Sequence, residues 1–242
     1  MTTPFMDRSL IEALLLLATI AWLRRRWRTR PGAGASAATR ARQLRTPLVR
    51  AADAFGISTR ASQQAARYQA GAVGEERTAT RLKPLSRENW TVLHDRALPR
   101  GRANVDHLAI SPVGTVFVAD TKRWSSRSPL TVHGGRLRHG DRDVTDRLNG
   151  LRHEASVVSA VLRVPVIPIV VIDGAPLVGP YGRPSTQLVL DGMLIVPASR
   201  LTAVLRANGR SPGPRPAPEL AAAAQHLLPP YTHRQHHHGR RR

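Results

Sequence analysis

Two neighbouring stretches of the chain, Ala103–Ser111 (ANVDHLAIS) and Gly114–Trp124 (GTVFVADTKRW), decide the fold and contain the candidate chemistry. Both are apolar runs broken by charge, with the alternation that indicates a half-buried β-strand. The short connection between them, Ser111-Pro-Val-Gly114, predicts that the two strands pair as a hairpin. Because side chains two residues apart on a strand share a face, Asp120 and Lys122 should project from the same side.

Asp106 adds a second carboxylate to this hairpin. It shares a face of the first strand with Leu108 and Ile110, so strand pairing should bring it within reach of Asp120. Two converging carboxylates are typical of a hard-cation site. We therefore predict that Asp106 and Asp120 hold Mg²⁺ (or Mn²⁺).

The pair formed by Asp120 and Lys122 also has a purely structural interpretation. A carboxylate and an ammonium on an apolar face need each other or an ion, so an ion pair at a strand end would suffice. The use of lysine favours a chemical role, because among 37 Lys and Arg residues lysine occurs only at Lys83 and Lys122. Lysine is a compact charge with a tunable pKa, whereas arginine is a fixed planar fork.

A helix should precede the two strands, and it carries a third acidic residue. Tyr68–Lys83 (YQAGAVGEERTATRLK) has helical periodicity and is followed by Pro84. Glu75 lies on the same face as Ala72 and other small apolar residues, so it should point inward. A buried glutamate needs a partner, either the metal site with its water shell or an arginine on the facing sheet.

Three short motifs in order resemble a known domain. They are Gly71-Ala-Val-Gly-Glu75, Asn104-Val-Asp-His107 and Gly114-Thr-Val-Phe-Val-Ala-Asp-Thr-Lys122. In this order and at these spacings they resemble the NERD (nuclease-related) domain of the PD-(D/E)XK nuclease superfamily, over residues 68–172. The resemblance implies an α/β, restriction-endonuclease-like core.

The remaining elements of this core can be placed from the pattern. We predict a helix, a three-stranded meander that begins at Trp90–Asp95, a second helix over residues 148–162, and a strand at Val166–Ile172. The intervening helix is a crossover, so the last strand should run parallel to a meander strand. Val166–Ile172 is apolar throughout, which indicates burial on both faces, although Pro168 favours an edge or irregular position.

The resemblance also implies an activity and roles for the acidic residues. It points to a metal-dependent nuclease that cleaves phosphodiester bonds, with Asp106 and Asp120 on the metal. Lys122 would orient the attacking water or stabilise the leaving charge, and Glu75 would order the outer shell. The alternative is a catalytically inactive nucleic-acid-binding or membrane-tethered adaptor on the same fold. The presence of every expected carboxylate favours the enzyme.

The chain departs from the family pattern at three points. Asp120 stands where the family more often has Glu, which shortens the reach by one methylene. The sequence reads Asn149-Gly150 where the family has Asn-Pro, and His153 stands where a Gln is usual. The polar contact that the second helix makes in the family is therefore not assured here.

The charge of the chain favours an acidic partner. The formal net charge is +21, from 37 basic and 16 acidic side chains, which predicts binding to nucleic acid or to an anionic membrane surface. There is no cysteine, so disulfides and thiolate metal sites are excluded, and aromatics are too few (4%) for a base-stacking platform. The resemblance implies DNA as the substrate. Four arginines around the acidic centre are predicted to contact its phosphates: Arg123, Arg127, Arg136 and Arg138.

The N-terminal segment predicts membrane association. Residues 10–23 (LIEALLLLATIAWL) are almost wholly apolar, and Arg24–Arg28 follows directly, as the positive-inside rule requires. Fourteen residues are short for a span of about 20. A signal anchor or single transmembrane helix, an interfacial helix and a buried N-terminus therefore stay open. Either membrane interpretation places the domain in the cytoplasm, anchored to the inner face of the cell membrane.

These observations divide the chain into four predicted parts. They are an apolar anchor with its arginine cluster (1–30), a basic flexible linker and short helix (31–66), the NERD-like domain (67–209), and a Pro-rich and His/Arg-rich tail (210–242).

Overall fold

The computed structural model describes residues 32–55, 57–101 and 103–231. The predicted anchor (1–30) and the His/Arg-rich residues 232–242 lie outside this part of the chain. Within it, the helices are α1 (Ala35–Leu44), α2 (Pro47–Ala54), α3 (Arg60–Leu82), α4 (Asn149–Leu162), α5 (Leu201–Asn208) and α6 (Ala217–Leu227). The strands are β1 (Thr91–Ala97), β2 (Asn104–Ile110), β3 (Val116–Arg123), β4 (Leu130–His133), β5 (Arg136–His139), β6 (Arg142–Asp143), β7 (Val166–Asp173), β8 (Leu188–Leu190) and β9 (Met193–Pro197). None of these helices is both long enough and apolar enough to cross a membrane.

A mixed sheet forms the centre of the described fold, in the order β1-β2-β3-β7-β9-β8. Strands β1, β2 and β3 are antiparallel neighbours, and β3 pairs with β7 in parallel. The connection between β3 and β7 contains α4, as the crossover argument requires. The predicted order of helix, meander, helix and parallel strand is therefore confirmed, and the architecture is compatible with a restriction-endonuclease-like core.

The two faces of the sheet are covered by different helices. On one face, Val116 and Val118 of β3 belong to a core cluster that includes Leu151 of α4 and Leu220 of α6. On the other, Phe117 packs in a cluster with residues from the end of α3 and from α5. The alternation of β3 thus continues into the two helical layers, because successive side chains of a strand point to opposite faces.

Strand β7 lies inside the sheet rather than at its edge, which corrects the expectation drawn from Pro168. Pairing of β7 with β3 includes Val118 opposite Pro168, but pairing with β9 starts only at Ile169 opposite Leu194. Proline lacks a backbone N–H. It is accommodated here because it stands just before the second ladder begins.

The segment predicted as a flexible linker is instead folded against the domain. Helix α1 packs on α3, and Ala37 and Ala41 are buried. Gly34 begins α1 with a left-handed backbone (φ +79°), and a Cβ there would lie 2.7 Å from the carbonyl oxygen of Ala72. Glycine permits this close approach between the two helices. Small residues, which composition alone suggests are linker-like, therefore form a helix–helix contact.

The segment predicted as a tail also contributes to the core. Leu220, Ala224 and Leu228, in and just after α6, are buried in the same cluster as β3 and α4. Arg96 of β1 donates from Nε to the carbonyl oxygen of Leu228 (2.5 Å) and from Nη2 to that of Gln225 (3.1 Å). The guanidinium thus binds carbonyl groups that a helix C-terminus leaves unpaired.

Strands β4, β5 and β6 form a small separate sheet beyond the end of β3. The predicted two-residue turn is present, with Gly134 and Gly135 both at positive φ (57° and 70°), as tight hairpin turns require. The hairpin contacts the loop after β3, where His139 Nε2 lies 2.9 Å from the carbonyl oxygen of Ser125.

Candidate active site

The hairpin register places the two predicted metal ligands opposite each other. Pairing of β2 with β3 ends at His107 opposite Ala119. One further step in this antiparallel register sets Asp106 against Asp120, and directly opposed residues point to the same face of a sheet. Asp120 is 5% exposed, and Asp106 is half-buried. The predicted convergence of these carboxylates is therefore consistent with the strand register.

Lys122 is held by Asp120. Its Nζ lies 2.5 Å from Asp120 Oδ2, with 30% of the lysine side chain and 8% of the aspartate side chain exposed. Burial lowers the pKa of Lys122, but Asp120, Asp106 and Glu154 outweigh that effect, and the pKa is raised overall. The ammonium is thus charged and fixed among carboxylates.

Glu75 reaches the same cluster from α3. It is buried (8% exposed), as its helical face predicts, and its Oε2 has no hydrogen-bond partner among the described residues. Burial, then Asp95 and Asp120, raise the pKa of Glu75 to about 7, against a smaller lowering by a backbone hydrogen bond from Gly34. Glu75 therefore lies among carboxylates, and the described arginine that acts on it is Arg40 of α1 rather than one from the sheet. The metal site predicted as its partner stays a prediction.

A fourth carboxylate comes from α4. Glu154 Oε2 is buried and has no hydrogen-bond partner in the described part of the chain. Burial and Asp120 raise the pKa of Glu154 to about 8, although Lys122 acts in the opposite direction. His153, the residue that stands at the family's Gln position, is exposed. The side chain of α4 that interacts electrostatically with Asp120 thus lies one residue later, at Glu154.

Glu154 is not among the site residues predicted from the sequence, although its position carries a signal. Glu154 follows the buried Leu151 by three residues and precedes the buried Val158 by four, so helical spacing places it beside the apolar stripe of α4. A glutamate at such a position requires the same explanation as Glu75.

Burial and, after it, repulsion from the neighbouring carboxylates determine the electrostatics of Asp106. Burial, followed by the charges of Glu75, Asp120 and Glu154, raises its pKa well above the usual range, and Lys122 offsets part of that. Within the described part of the chain, the ammonium of Lys122 and, at Glu75, the guanidinium of Arg40 therefore face four carboxylates. A cluster of this kind is stabilised by protons or by a bound cation.

Asp95 and Asn104 surround Asp106 and were also missed. Asn104 Nδ2 lies 3.0 Å from Asp95 Oδ1 and 3.1 Å from Asp106 Oδ1, and Asp95 is 1% exposed. Asp95 ends the predicted first strand, but a single aspartate at a strand end is ordinary in a sequence. Only the register, which sets Asp95 beside Asp106, makes it part of the cluster.

The four arginines predicted to bind phosphate differ in their surroundings. Arg123 and Arg127 are exposed at the end of β3 and in the following loop. Arg136 forms an ion pair with Asp143 (2.6 Å), and Arg138 donates to the carbonyl oxygen of Asp141 (2.6 Å). The first two are therefore the more available for a ligand near Lys122.

The cluster fits a magnesium or manganese ion through its donors rather than through a preformed cage. Among the described residues, no group of three or more His, Cys, Asp or Glu side chains is already arranged to hold a metal ion. Mg²⁺ usually binds through one or two carboxylates and keeps several waters. Asp106 and Asp120, with unpartnered oxygens on two nearby glutamates, provide that donor set.

The fold and cluster together define a class of protein. An antiparallel meander continued by a parallel strand, with aspartates and a lysine where the meander strands separate, is compatible with the nuclease fold that the three motifs resemble. Residues 70–173 match the family model of the nuclease-related domain (NERD). The chain therefore contains a nuclease-related domain, and this range includes the three motifs and the acidic cluster. No curated protein and no solved structure gave a significant match.

Proposed function

We propose that this protein is a metal-dependent nuclease that cleaves phosphodiester bonds in nucleic acid, with DNA as the substrate. One observation carries the proposal: Glu75, Asp106, Asp120 and Glu154 act on one another electrostatically around the ammonium of Lys122, and among the described residues Arg40 offsets only part of the charge, at Glu75. A structural ion pair needs two groups, and the additional carboxylates are unfavourable without a cation. Such an arrangement is expected where a cation and a phosphate are to be bound.

Asp106 and Asp120 would hold Mg²⁺ (or Mn²⁺). The ion would supply Lewis-acid chemistry, polarising the phosphoryl oxygen and lowering the pKa of a bound water. Glu75 would accept hydrogen bonds from the surrounding waters, for which its unpartnered Oε2 is available. Glu154, whose pKa of about 8 keeps it protonated at neutral pH in the metal-free protein, has a proton to give.

Lys122 would bind the phosphate rather than the ion. Its ammonium is held by Asp120 and is partly exposed, so a phosphate oxygen can approach it from solvent. The exposed Arg123 follows it in sequence, and Arg127 lies in the next loop. These cations would hold the polymer backbone without reading its sequence.

The test is cleavage by the full-length protein of plasmid, linear and single-stranded DNA and of RNA, with and without Mg²⁺. We expect Mg²⁺-dependent cleavage. For Asp120→Asn we expect the cleavage rate to fall roughly a hundredfold or more, since a bound metal lowers the activation barrier by several kcal/mol. Nucleic-acid binding by that variant should persist because basic residues carry the affinity. Binding without cleavage by the wild type would instead identify the inactive adaptor.

Lys122→Arg separates a chemical role from a structural one. Arginine can pair with Asp120, so a structural pair should tolerate it, as this arginine-rich chain does elsewhere. A phosphate-binding lysine should not, because the larger planar guanidinium displaces water or phosphate. Cleavage by Lys122→Arg near the wild-type rate would assign that residue to structure alone.

We also propose that residues 10–23 bind the cell membrane and that the nuclease-related domain faces the cytoplasm. The support is the apolar run and the arginine cluster after it. After lysis and ultracentrifugation in low salt, the full-length protein should sediment with membranes. Recovery in the soluble fraction would contradict the proposal.

A further inference from the structure

A chain of hydrogen bonds connects α1 to the predicted metal ligand. The backbone N–H of Ser36 donates to Asp95 Oδ2 (2.8 Å), and Asp95 Oδ1 accepts from Asn104 Nδ2 (3.0 Å). The same Asn104 amide donates to Asp106 Oδ1 (3.1 Å) and lies 3.2 Å from Ser36 Oγ. Three elements, α1, β1 and β2, therefore meet at one side-chain amide.

Asp95 is used in this network and is not available as a metal ligand. Both of its oxygens accept hydrogen bonds, and the residue is 1% exposed. Its backbone is left-handed (φ +49°), a conformation that a non-glycine residue adopts at some cost. Such strain persists where the surroundings fix the residue in place.

Asn104 reduces the unfavourable interaction between two neighbouring aspartates. Carboxylates Asp95 and Asp106 are acceptors only and repel each other when both are ionised. The Asn104 amide between them donates a hydrogen bond to each carboxylate and adds no charge. The bond to Oδ1 of Asp106 restricts rotation of that carboxylate, whose Oδ2 makes no hydrogen bond within the described residues.

Helix α1 stabilises the outer end of this network. Ser36 is in the first turn, where backbone N–H groups have no partner within the helix, and one of them binds Asp95. The backbone of Gly34, at the start of the same helix, lowers the pKa of Glu75. The partial positive charge of a helix N-terminus favours both carboxylates.

We propose that Asp95 and Asn104 are positioning residues that set the orientation of Asp106 for the ion, and that α1, which precedes the family-matched range 70–173, is a required part of the site. The proposal rests on the metal role of Asp106 in the proposed function. It adds that the matched domain by itself holds Asp106 incorrectly and binds the ion weakly.

The experiment measures Mn²⁺ binding to the full-length protein by calorimetry, together with the melting temperature in the absence of metal. Asn104→Ala removes the amide bridge. Ser36→Pro removes both the N–H that donates to Asp95 and the hydroxyl that accepts from Asn104, in the first turn of α1, where the N–H is not needed for the helix itself. Thr39→Ala is the matched control, because its hydroxyl donates to Ala35 within the same helix and does not contact the network. Loss of a group that orients a ligand typically weakens metal binding about 10–100-fold.

We expect the Kd for Mn²⁺ to rise at least about tenfold in Asn104→Ala and Ser36→Pro and to stay unchanged in Thr39→Ala. Cleavage by both variants should recover at high Mn²⁺, which a purely structural defect would not permit. Asp95→Asn keeps the shape of the side chain and turns one acceptor into a donor, so it tests the same point if Asn104→Ala does not fold.

Two different results would overturn the inference. Wild-type Mn²⁺ affinity in folded Asn104→Ala or Asp95→Asn would leave the nuclease proposal intact and remove the positioning role. Absence of Mn²⁺ binding in the wild type would remove both, and the cleavage assay would show the same failure.

Discussion

The two ends of strand β3 follow opposite physical rules. At its first half, Val116, Phe117 and Val118 are at most 1% exposed and pack into two apolar clusters. At its second half, Asp120 and Lys122 extend one of the same faces into an acidic cluster whose members repel one another. Burial of the apolar half stabilises the folded protein, whereas burial of the acidic half destabilises it. The contrast indicates that β3 is anchored at one end so that it can hold an unfavourable arrangement at the other.

The largest effect should come from the apolar half. Phe117→Ala removes a fully buried ring that packs near Trp90, with the ring centroids 5.9 Å apart. We expect the free energy of unfolding to fall by about 3–5 kcal/mol, as for other large-to-alanine changes in cores. Urea denaturation of the metal-free protein measures it. A change below about 1 kcal/mol would mean that β3 is anchored elsewhere.

The acidic half should respond in the opposite direction. The folded protein raises the pKa of Glu154 from the ordinary 4.5 to about 8. The contribution of Glu154 to the free energy of unfolding is therefore complete below pH 4.5 and is lost as the pH rises through 8. Glu154→Gln removes the charge, and we expect it to raise the free energy of unfolding at pH 9 by on the order of 2–3 kcal/mol without metal.

The same variant tests the role of the cation. In saturating Mg²⁺ the repulsion is compensated in the wild type, so the gain from Glu154→Gln should largely disappear. The readout is the difference between wild-type and variant melting temperatures at pH 9, with and without Mg²⁺. A gain independent of Mg²⁺ would mean that no ion binds near Glu154.

A histidine pair between the two halves predicts a smaller effect. His107 is fully buried, its Nδ1 lies 2.8 Å from Nδ1 of His94, and burial followed by His94 lowers its pKa to about 3. Between the ordinary value of 6.5 and pH 3, the unfolded chain takes up a proton that the folded protein does not. The contribution of His107 to the free energy of unfolding is therefore complete above pH 6.5 and is lost as the pH falls toward 3.

His107→Leu isolates this contribution from that of the carboxylates. Between pH 7 and pH 5 the wild type should lose about 2 kcal/mol relative to the variant. The measurement is the difference between the two unfolding free energies at each pH. Parallel pH profiles would show that His107 takes up its proton in the folded state as readily as in the unfolded chain.

The smallest effect should come from the hairpin formed by β4 and β5, which lies outside both halves of β3. Arg136 and Asp143 form an exposed ion pair, and exposed pairs contribute little to stability. Arg136→Ala should leave the melting temperature unchanged and slightly weaken DNA binding at low salt. A clear loss of stability would show that the hairpin, like β3, depends on its polar contacts.

The central fold could be predicted from the sequence because the patterns that specify it are local. Alternation placed β2 and β3, the turn 111–114 paired them, and the helical face of Glu75 gave its burial. The register then follows, and with it the meeting of Asp106 and Asp120. The parallel pairing of β7 was predicted correctly because only a crossover connects it to β3.

The rest of the site depends on distant contacts that no local pattern encodes. Asp95 accepts a hydrogen bond from Ser36, 59 residues earlier, and nothing in the small, basic composition around Ser36 indicates that partner. The same limit explains the errors at both flanks. Small residues predict a linker unless a close helix contact such as that of Gly34 with Ala72 is known.

Two successive residues of β1 have a consequence for synthesis of the protein. Asp95 binds Ser36, and Arg96 binds carbonyl groups of Gln225 and Leu228, so β1 joins segments almost 200 residues apart. While the ribosome is still translating the region before residue 225, Arg96 lacks these partners and β1 lacks its outer cover. We therefore expect a nascent chain to complete its acidic cluster only late in translation. If the protein has the proposed nuclease activity, that activity would therefore arise only once the chain has left the ribosome and its RNA.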